Sequence, residues 1–293
     1  MPLQNASNPD NLFSAIEPAL ITDIGSRGIG KLSCPGDLQR CCEQLLTANR
    51  VGIATGFYLT DSIASETDGP LGALLLSVGL HQLKKTTVVI SDRYTAPLLR
   101  RCVDALQLPC TVAVADAVDL STLDHLIAIE RIGPASDAAS YSMHGVALQY
   151  GNDSLADLFE TACSRGIPTT GIGDGGNEIG MGKVAELVVN HIPRGALIGC
   201  RVATDSLLVC GISNWGIWGI LAGMSFDTGT NLLPTRAVET EILESLVREG
   251  AIDGVTKQAI ATVDGFTLEE QFLVRERIER LLAGLPIPIE SQA

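Results

Sequence analysis

The sequence predicts a doubly wound, Rossmann-like α/β fold: a mainly parallel sheet with helices on both faces and extra helices at both ends. Three observations predict it. Short apolar or β-branched runs recur along the chain, as in Val51–Thr55, Thr87–Ser91 and Cys110–Val114. Helix-length stretches separate them, as parallel neighbours require. Acids or glycines stand directly after the runs, where sheets of this kind bind ligands.

Each element has its own signal. Leu12, Phe13, Ile16, Ala19, Leu20 and Ile21 make residues 11–24 apolar enough for a helix packed on the body. Residues 37–49 carry Leu38, Cys41, Cys42, Leu45 and Leu46 on one helical face. The strand 51–55 ends at Gly56, and Pro70 opens a helix to Leu83. The strand 87–91 ends at Asp92, and Leu98, Leu99, Cys102, Val103 and Leu106 mark the next helix. The strand 110–114 precedes Asp116, and the strand 126–129 ends at Glu130-Arg131. Ser154 and Asp157 resemble a capping box for a helix to Arg165, with Gly166 as its stop. Residues 168–172 lead into a glycine-rich stretch, and Arg201–Thr204 is expected as a further strand ending at Asp205. An apolar helix follows Asn214 to about Met224, with Trp215 and Trp218 expected in the core or at a subunit interface. Helices over 238–249 and from the Thr267/Glu270 capping box to Leu285 close the chain. Asp253-Gly254 and Val263-Asp264-Gly265 read as turns that are secondary candidates for the pocket lining. One domain is expected over 1–293: a helical extension over 1–49, an α/β core over 50–225 and packed helices over 226–293.

Composition excludes several classes. A net charge of −14 and a pI near 4.6 offer nothing to neutralise nucleic-acid phosphates or to bind an anionic membrane. Eight scattered cysteines without CxxC spacing read as buried thiols of a reducing compartment, and the four histidines form no ligand pair. The first thirteen residues carry no targeting pattern and no run reaches membrane-spanning length. A cytoplasmic location is therefore expected.

The chain is organised around Gly171–Gly182, with six glycines in twelve positions among Asp174, Asn177 and Glu178. Glycines on this scale let a backbone approach a ligand, and the acids suit a cation or an amine. Gly171, Gly173 and Gly176 also satisfy G-x-G-x-x-G, but Asp174 and Glu178 would flank the pyrophosphate, so no dinucleotide is expected. Ser26-Arg27-Gly28-Ile29-Gly30 imitates a dehydrogenase turn; the Tyr-x-x-x-Lys it would need is missing at Tyr94 and Tyr141. One acid after a strand is commonly a helix cap. Asp92, Glu130, Asp174 and Asp205, with Glu66 and Asp68, favour one shared site.

Thr55-Gly56-Phe57, Glu66-Thr67-Asp68-Gly69-Pro70, Ile129-Glu130-Arg131 with Gly133-Pro134, Gly171–Gly182 and Ser213-Asn214-Trp215-Gly216 occur in that order. Together they resemble the D-glutamate cyclase family, specifically its C-terminal-type domain, from about Arg27 to Gly265. One departure is Asp137-Ala138-Ala139-Ser140-Tyr141, where the family tends to have an acid, a glycine and an aromatic. The resemblance implies a carbon–oxygen lyase (hydro-lyase) that closes D-glutamate to 5-oxo-D-proline with loss of water. It implies Glu66, Asp68 and Asp174 as catalytic groups, and Asp174, Asn177 and Glu178 as ligands of a divalent cation, Mg²⁺ or Mn²⁺. Arg131 or Arg27 would clamp the α-carboxylate. Gly56, Thr67, Gly69, Asp92, Glu130, Gly175, Gly176, Asp205 and Asn214 complete the substrate-binding set. The expected partner is a small amino acid, with neither nucleic acid nor membrane; a homo-oligomer is left open. The competing classes are a non-catalytic module for an amino acid or a nucleotide–metal complex, and a nucleotide-dependent oxidoreductase.

Overall fold

The computed structural model describes residues 9–148 and 153–284. Its central sheet has six parallel strands: β1 Arg50–Thr55, β2 Thr86–Ser91, β3 Cys110–Val114, β4 His125–Ile129, β5 Thr169–Gly173 and β6 Ser206–Val209. Their order is β3-β2-β1-β4-β5-β6, so the winding reverses between β1 and β4. Ile53 of β1 accordingly pairs with Val89 on one side and Ile127 on the other. This is the doubly wound arrangement, with its ligand crevice expected beyond the carboxyl ends of β1 and β4.

The helices are α1 Pro9–Leu20, α2 Asp37–Thr47, α3 Pro70–Gln82, α4 Ala96–Leu106, α5 Asp153–Ser164, α6 Ala185–His191, α7 Gly195–Ile198, α8 Trp215–Thr228, α9 Arg236–Arg248 and α10 Leu268–Leu282. Strand side chains alternate between faces, and β4 shows the result. Ile127 and Ile129 enter a core with α1–α4 and α8–α10. Leu126 and Ala128 enter a second core with α5–α7. Helices α3 and α8 are apolar all round because both are buried. They approach closely: a Cβ on Gly79 would lie 2.4 Å from Leu221. Trp215 and Trp218 are each 1% exposed, so of the two settings expected for them the core is the one found.

Element ends fall within a few residues of expectation, and the Thr267/Glu270 capping box forms on α10. The Ser154 side chain of the other capping reading, the leader reading of residues 1–8 and Leu285 lie outside the described residues. Among the described residues no helix is long and apolar enough to cross a membrane.

One strand is corrected. Arg201–Thr204 does not join the sheet; the Gly180 and Gly182 amides donate to Val202 O at 2.9 and 3.1 Å, so this extended segment braces the glycine loop. The sheet strand begins at Ser206. Asp205 therefore precedes a strand rather than following one. Its Oδ2 accepts from Thr169 N and Oγ1 at the start of β5, 2.8 and 2.9 Å away. That puts Asp205 at the amino edge of the sheet, opposite the crevice.

Candidate active site

The segment after β1 makes a short antiparallel hairpin, Tyr58–Leu59 with Ala64–Ser65, and then runs through Glu66–Pro70 into α3. Thr67 ties it to the C-terminal region, donating from N to Ile252 O at 3.0 Å and from Oγ1 to Thr262 O at 2.8 Å. Asp68 accepts the backbone N–H groups of Gly69, Ser213 and Asn214, each at 3.0 Å. In return, Asn214 Oδ1 accepts from Gly69 N and Gly72 N at 3.0 and 2.8 Å. Asp68 thus satisfies amides at the start of α8 while Asn214 satisfies those at the start of α3. Gly69 has φ +84°, and a Cβ there would lie 2.7 Å from Thr55 Oγ1 and 2.8 Å from Ile129 O. Glycine is the residue this crossing accepts.

Glu130 follows β4 with φ +44°, an uncommon conformation for a non-glycine residue and one that costs backbone strain. The twist is held by Glu130 N donating to Ile172 O at 3.1 Å and by Ser213 Oγ donating to Glu130 Oε2 at 2.5 Å. Arg131 is wholly buried; its Nη1 bonds Gly56 O and Asp92 Oδ2, the latter at 2.6 Å. Asp92 in turn accepts Tyr94 N and Thr95 N ahead of α4, both at 2.8 Å.

The glycine-rich stretch splits between strand and loop. Gly171 and Gly173 belong to β5, where a Cβ on Gly171 would meet Ile179 O at 2.5 Å. The loop folds back over its own strand, with Gly176 and Gly180 at φ +104° and +111°. Glu178 accepts the amides of Asp174, Gly175 and Gly176 at 3.0, 2.6 and 2.7 Å. These are the donors a dinucleotide fingerprint would offer to pyrophosphate, and α6 begins only at Ala185. The Ser26–Gly30 turn follows helix α1, not the strand that the dehydrogenase alternative needs. Asn177 Nδ2 donates to Tyr141 O at 2.8 Å and so holds the 141–147 hairpin over the loop.

These elements enclose a cleft of about 470 Å³, within the usual range of ligand sites. Its lining includes Arg27, Glu66, Glu130, Asp174 and Asp264, with Met143, His144, Arg194 and Lys257. Buried oxygens of Asp68, Glu130 and Asp174 lie within 4.8 Å of one another. Three carboxylates without His or Cys suit a hard divalent cation such as Mg²⁺ or Mn²⁺. Arg27 pairs with both Asp174 and Asp264; burial alone would lower its pKa, but these neighbours and Glu130 raise it. The acids shift the other way. Burial, reinforced by neighbouring carboxylates, pushes Glu66, Glu130 and Asp174 well above the carboxylate range, although Arg27 opposes the rise at Asp174. Asp68 rises to about 8, through burial and Asp264 and against its three backbone donors. So many adjacent acids cannot all ionise together, and the cluster holds acid and base forms side by side.

The expected residues divide accordingly. Arg27, Glu66, Glu130 and Asp174 line the cleft, and Asp68 joins the acid cluster. Gly56, Thr67, Gly69, Asp92, Arg131, Gly175, Gly176 and Asn214 stand behind this lining as its framework. Of the expected metal ligands, Asp174 is in the cluster. Glu178 turns onto backbone amides and Asn177 onto Tyr141 O, while Asp68 and Glu130 supply the other two carboxylates. Asp264 and Gly254, read as turn residues, also line the cleft. Met143, His144, Arg194 and Lys257 carry no motif and were not anticipated. Asp-Gly pairs at 253–254 and 264–265 were the available signal. Buried Asp253 builds that loop by accepting from Val255 N, Thr256 N, Thr262 Oγ1 and Gly265 N at 2.7–2.9 Å.

Residues 16–279 match the family model described as "D-glutamate cyclase-like, C-terminal". The human protein "D-glutamate cyclase, mitochondrial" is 32% identical over 280 residues, covering 83% of this chain and 46% of that protein. The chain thus spans about half the length of this curated relative. A solved structure of an exopolyphosphatase-related protein from Bacteroides fragilis aligns over 87% of this chain and 62% of its own. At TM-score 0.44 and 9% identity, it is too distant to argue from. With the family model covering nearly the whole described fold, the chain belongs to the D-glutamate cyclase-like, C-terminal family.

Proposed function

We propose that the chain closes D-glutamate to 5-oxo-D-proline with loss of water, as a carbon–oxygen lyase of the hydro-lyase type. The observation that carries this reading is Glu66. It is 5% exposed and lines the cleft, and its Oε1 has no hydrogen-bond partner among the described residues. A buried acceptor left open is costly unless a ligand fills it. A substrate ammonium is the complementary donor.

The chemistry follows from the mixed protonation of the cluster. Glu66 in its carboxylate form takes a proton from the ammonium, leaving a neutral amine. The amine nitrogen attacks the γ-carboxyl carbon and a C–N bond forms. One C–O bond breaks as its oxygen receives the protons that Glu66 takes from nitrogen and passes on. Two nitrogen protons and one carboxylate oxygen leave as water, so no co-reactant is consumed. Asp68, Glu130 and Asp174 would hold a divalent cation, which when bound supplies charge compensation for the reacting carboxylate. Arg27 keeps Asp174 and Asp264 oriented. The substrate partner proposed is thus a single amino acid, and the eight free cysteines support a reducing compartment.

The test is incubation with D- or L-glutamate, with and without Mg²⁺ or Mn²⁺, following 5-oxoproline by chromatography. Product from D-glutamate is expected, with loss on chelation and recovery on adding metal. Binding of glutamate without product would support the non-catalytic module instead.

A further inference from the structure

We propose that Arg194 and Lys257 bind the substrate carboxylate that does not react, and so decide which way round a dicarboxylic amino acid enters the cleft. This rests on the cyclase reading above. Ring closure joins the amine to the γ-carboxyl group, so both must lie together among the acids. The α-carboxylate keeps its charge from substrate to product. Among Glu66, Glu130, Asp174 and Asp264 it would meet acids whose ionised forms repel it, which costs binding. Arg27 does not answer the problem, because Asp174 and Asp264 already occupy its guanidinium.

Two other permanent cations line the same cleft, Arg194 and Lys257. Both are exposed, whereas Glu66, Glu130 and Asp174 are buried, so positive charge stands at the mouth and negative charge at the floor. Among the described residues neither side chain makes an ion pair or hydrogen bond. Their placement is built in from two loops. Arg194 has φ +60° between α6 and α7. Gly145, at φ +77°, leaves room for it; a Cβ there would lie 3.1 Å from Arg194 Cδ. Lys257 has φ +59°, and its amide donates to Asp253 O at 3.0 Å within the loop that Asp253 organises. Two unpaired cations in left-handed backbone, facing one acidic floor, form the complement of a zwitterion with a second carboxylate.

The experiment uses the full chain with Arg194→Gln, Lys257→Gln, the double variant and the charge-keeping Arg194→Lys. The substrates are D-glutamate and its α-carboxamide, in which the non-reacting carboxylate is neutral. Wild type is expected to prefer D-glutamate in kcat/KM, and each Gln variant to lose about tenfold of that preference through KM. Arg194→Lys should recover part of it. The Kd for 5-oxo-D-proline should rise in parallel, since the product keeps the same carboxylate. An unchanged preference in the double variant would overturn the proposal while leaving the cyclase reading intact. If wild type forms no product, calorimetric binding of D-glutamate to the same proteins decides. Weaker binding by the Gln variants upholds the carboxylate site and removes the cyclase reading, whereas equal binding, or none, removes the carboxylate site.

Discussion

Two buried acid networks in this molecule are built to opposite ends. Between α8, α9 and α10, Glu239 accepts from Arg275 Nη1 at 2.5 Å and from Trp218 Nε1 at 3.1 Å. Arg275 spends its other donors on Pro234 O and Glu279 Oε1, at 2.5 and 2.9 Å. Every strong partner is internal, and the network is closed. At the cleft, several carboxylates share Arg27, and Glu66 Oε1 is left open. Burial lifts Glu239 only to about 7, because Arg275 and Trp218 favour its charged form. Glu66, among Asp264, Asp68 and Asp174, goes well above the carboxylate range. Low dielectric makes a satisfied polar network rigid and an unsatisfied one costly. The first arrangement holds helices together; the second stores a demand for a ligand.

The largest expected effect breaks the closed network. Glu239→Ala leaves Arg275 buried without its carboxylate and should cost about 3–5 kcal/mol of stability in urea unfolding. Turnover per folded molecule should not change. Loss of turnover at full stability would erase the distinction between the two networks. Next comes Asp174→Asn, which keeps volume but removes a charge from the open network. Turnover should fall at least ~10²-fold, in line with loss of one preorganised electrostatic group, while the fold survives. Near wild-type turnover at saturating D-glutamate would move the chemistry away from this cluster.

The same contrast explains what could be read from sequence. Closed, repetitive physics is local: unbroken runs such as Thr87–Ser91 and the Thr267/Glu270 box declare themselves within a few residues. So do Glu66–Pro70 and the glycine-rich stretch, which carried most of the cleft floor. β6 was missed because Val202-Ala203-Thr204 is as extended and apolar as a strand. Only the Gly180 and Gly182 amides, arriving from another loop, decide that it is not one. Glu178 looked like a ligand beside Asp174, yet three amides within four residues of it capture its carboxylate. The cleft mouth was illegible for a related reason. Arg194 and Lys257 reach it through loop conformations, which no side-chain pattern encodes.

A smaller effect sharpens the comparison through pH. The cleft acids have folded pKa values raised above the unfolded value of about 4, with Asp68 reaching about 8. Between those limits the folded state holds more protons than the unfolded chain, so stability is greatest at low pH and falls as pH rises. Asp124 and Asp253, whose pKa values are lowered, act below this window; buried His125, lowered to about 4, opposes the trend up to about pH 6.5, but as one group against several acids. The urea midpoint of metal-free protein should therefore decline from about pH 5 to about pH 8. Glu66→Gln should flatten the slope and stabilise the protein at the upper end by about 1 kcal/mol. Mg²⁺ or Mn²⁺ should do the same for wild type. A midpoint that rises with pH would mean that these acids ionise more readily in the folded protein than in the unfolded chain, and the open network would not exist.

The smallest expected effect lies where the two kinds of network meet. Asn177 is 3% exposed and stands beside the acid cluster in sequence, but its amide is committed to Tyr141 O at 2.8 Å. That bond ties the glycine loop to the hairpin bearing Met143 and His144, which line the cleft. Asn177→Ala deletes one neutral hydrogen bond, and the freed carbonyl belongs to a half-buried residue that water reaches. The cost should be about 1 kcal/mol of stability. KM should rise a few-fold as the hairpin loosens over the cleft, and the metal concentration giving half-maximal activity should stay unchanged. A ligand, or a group orienting one, behaves differently: its loss shifts metal affinity about 10–100-fold. Such a shift would move Asn177 from the closed framework into the open site. An unchanged metal requirement with a looser KM keeps it as the strap that holds the hairpin in place.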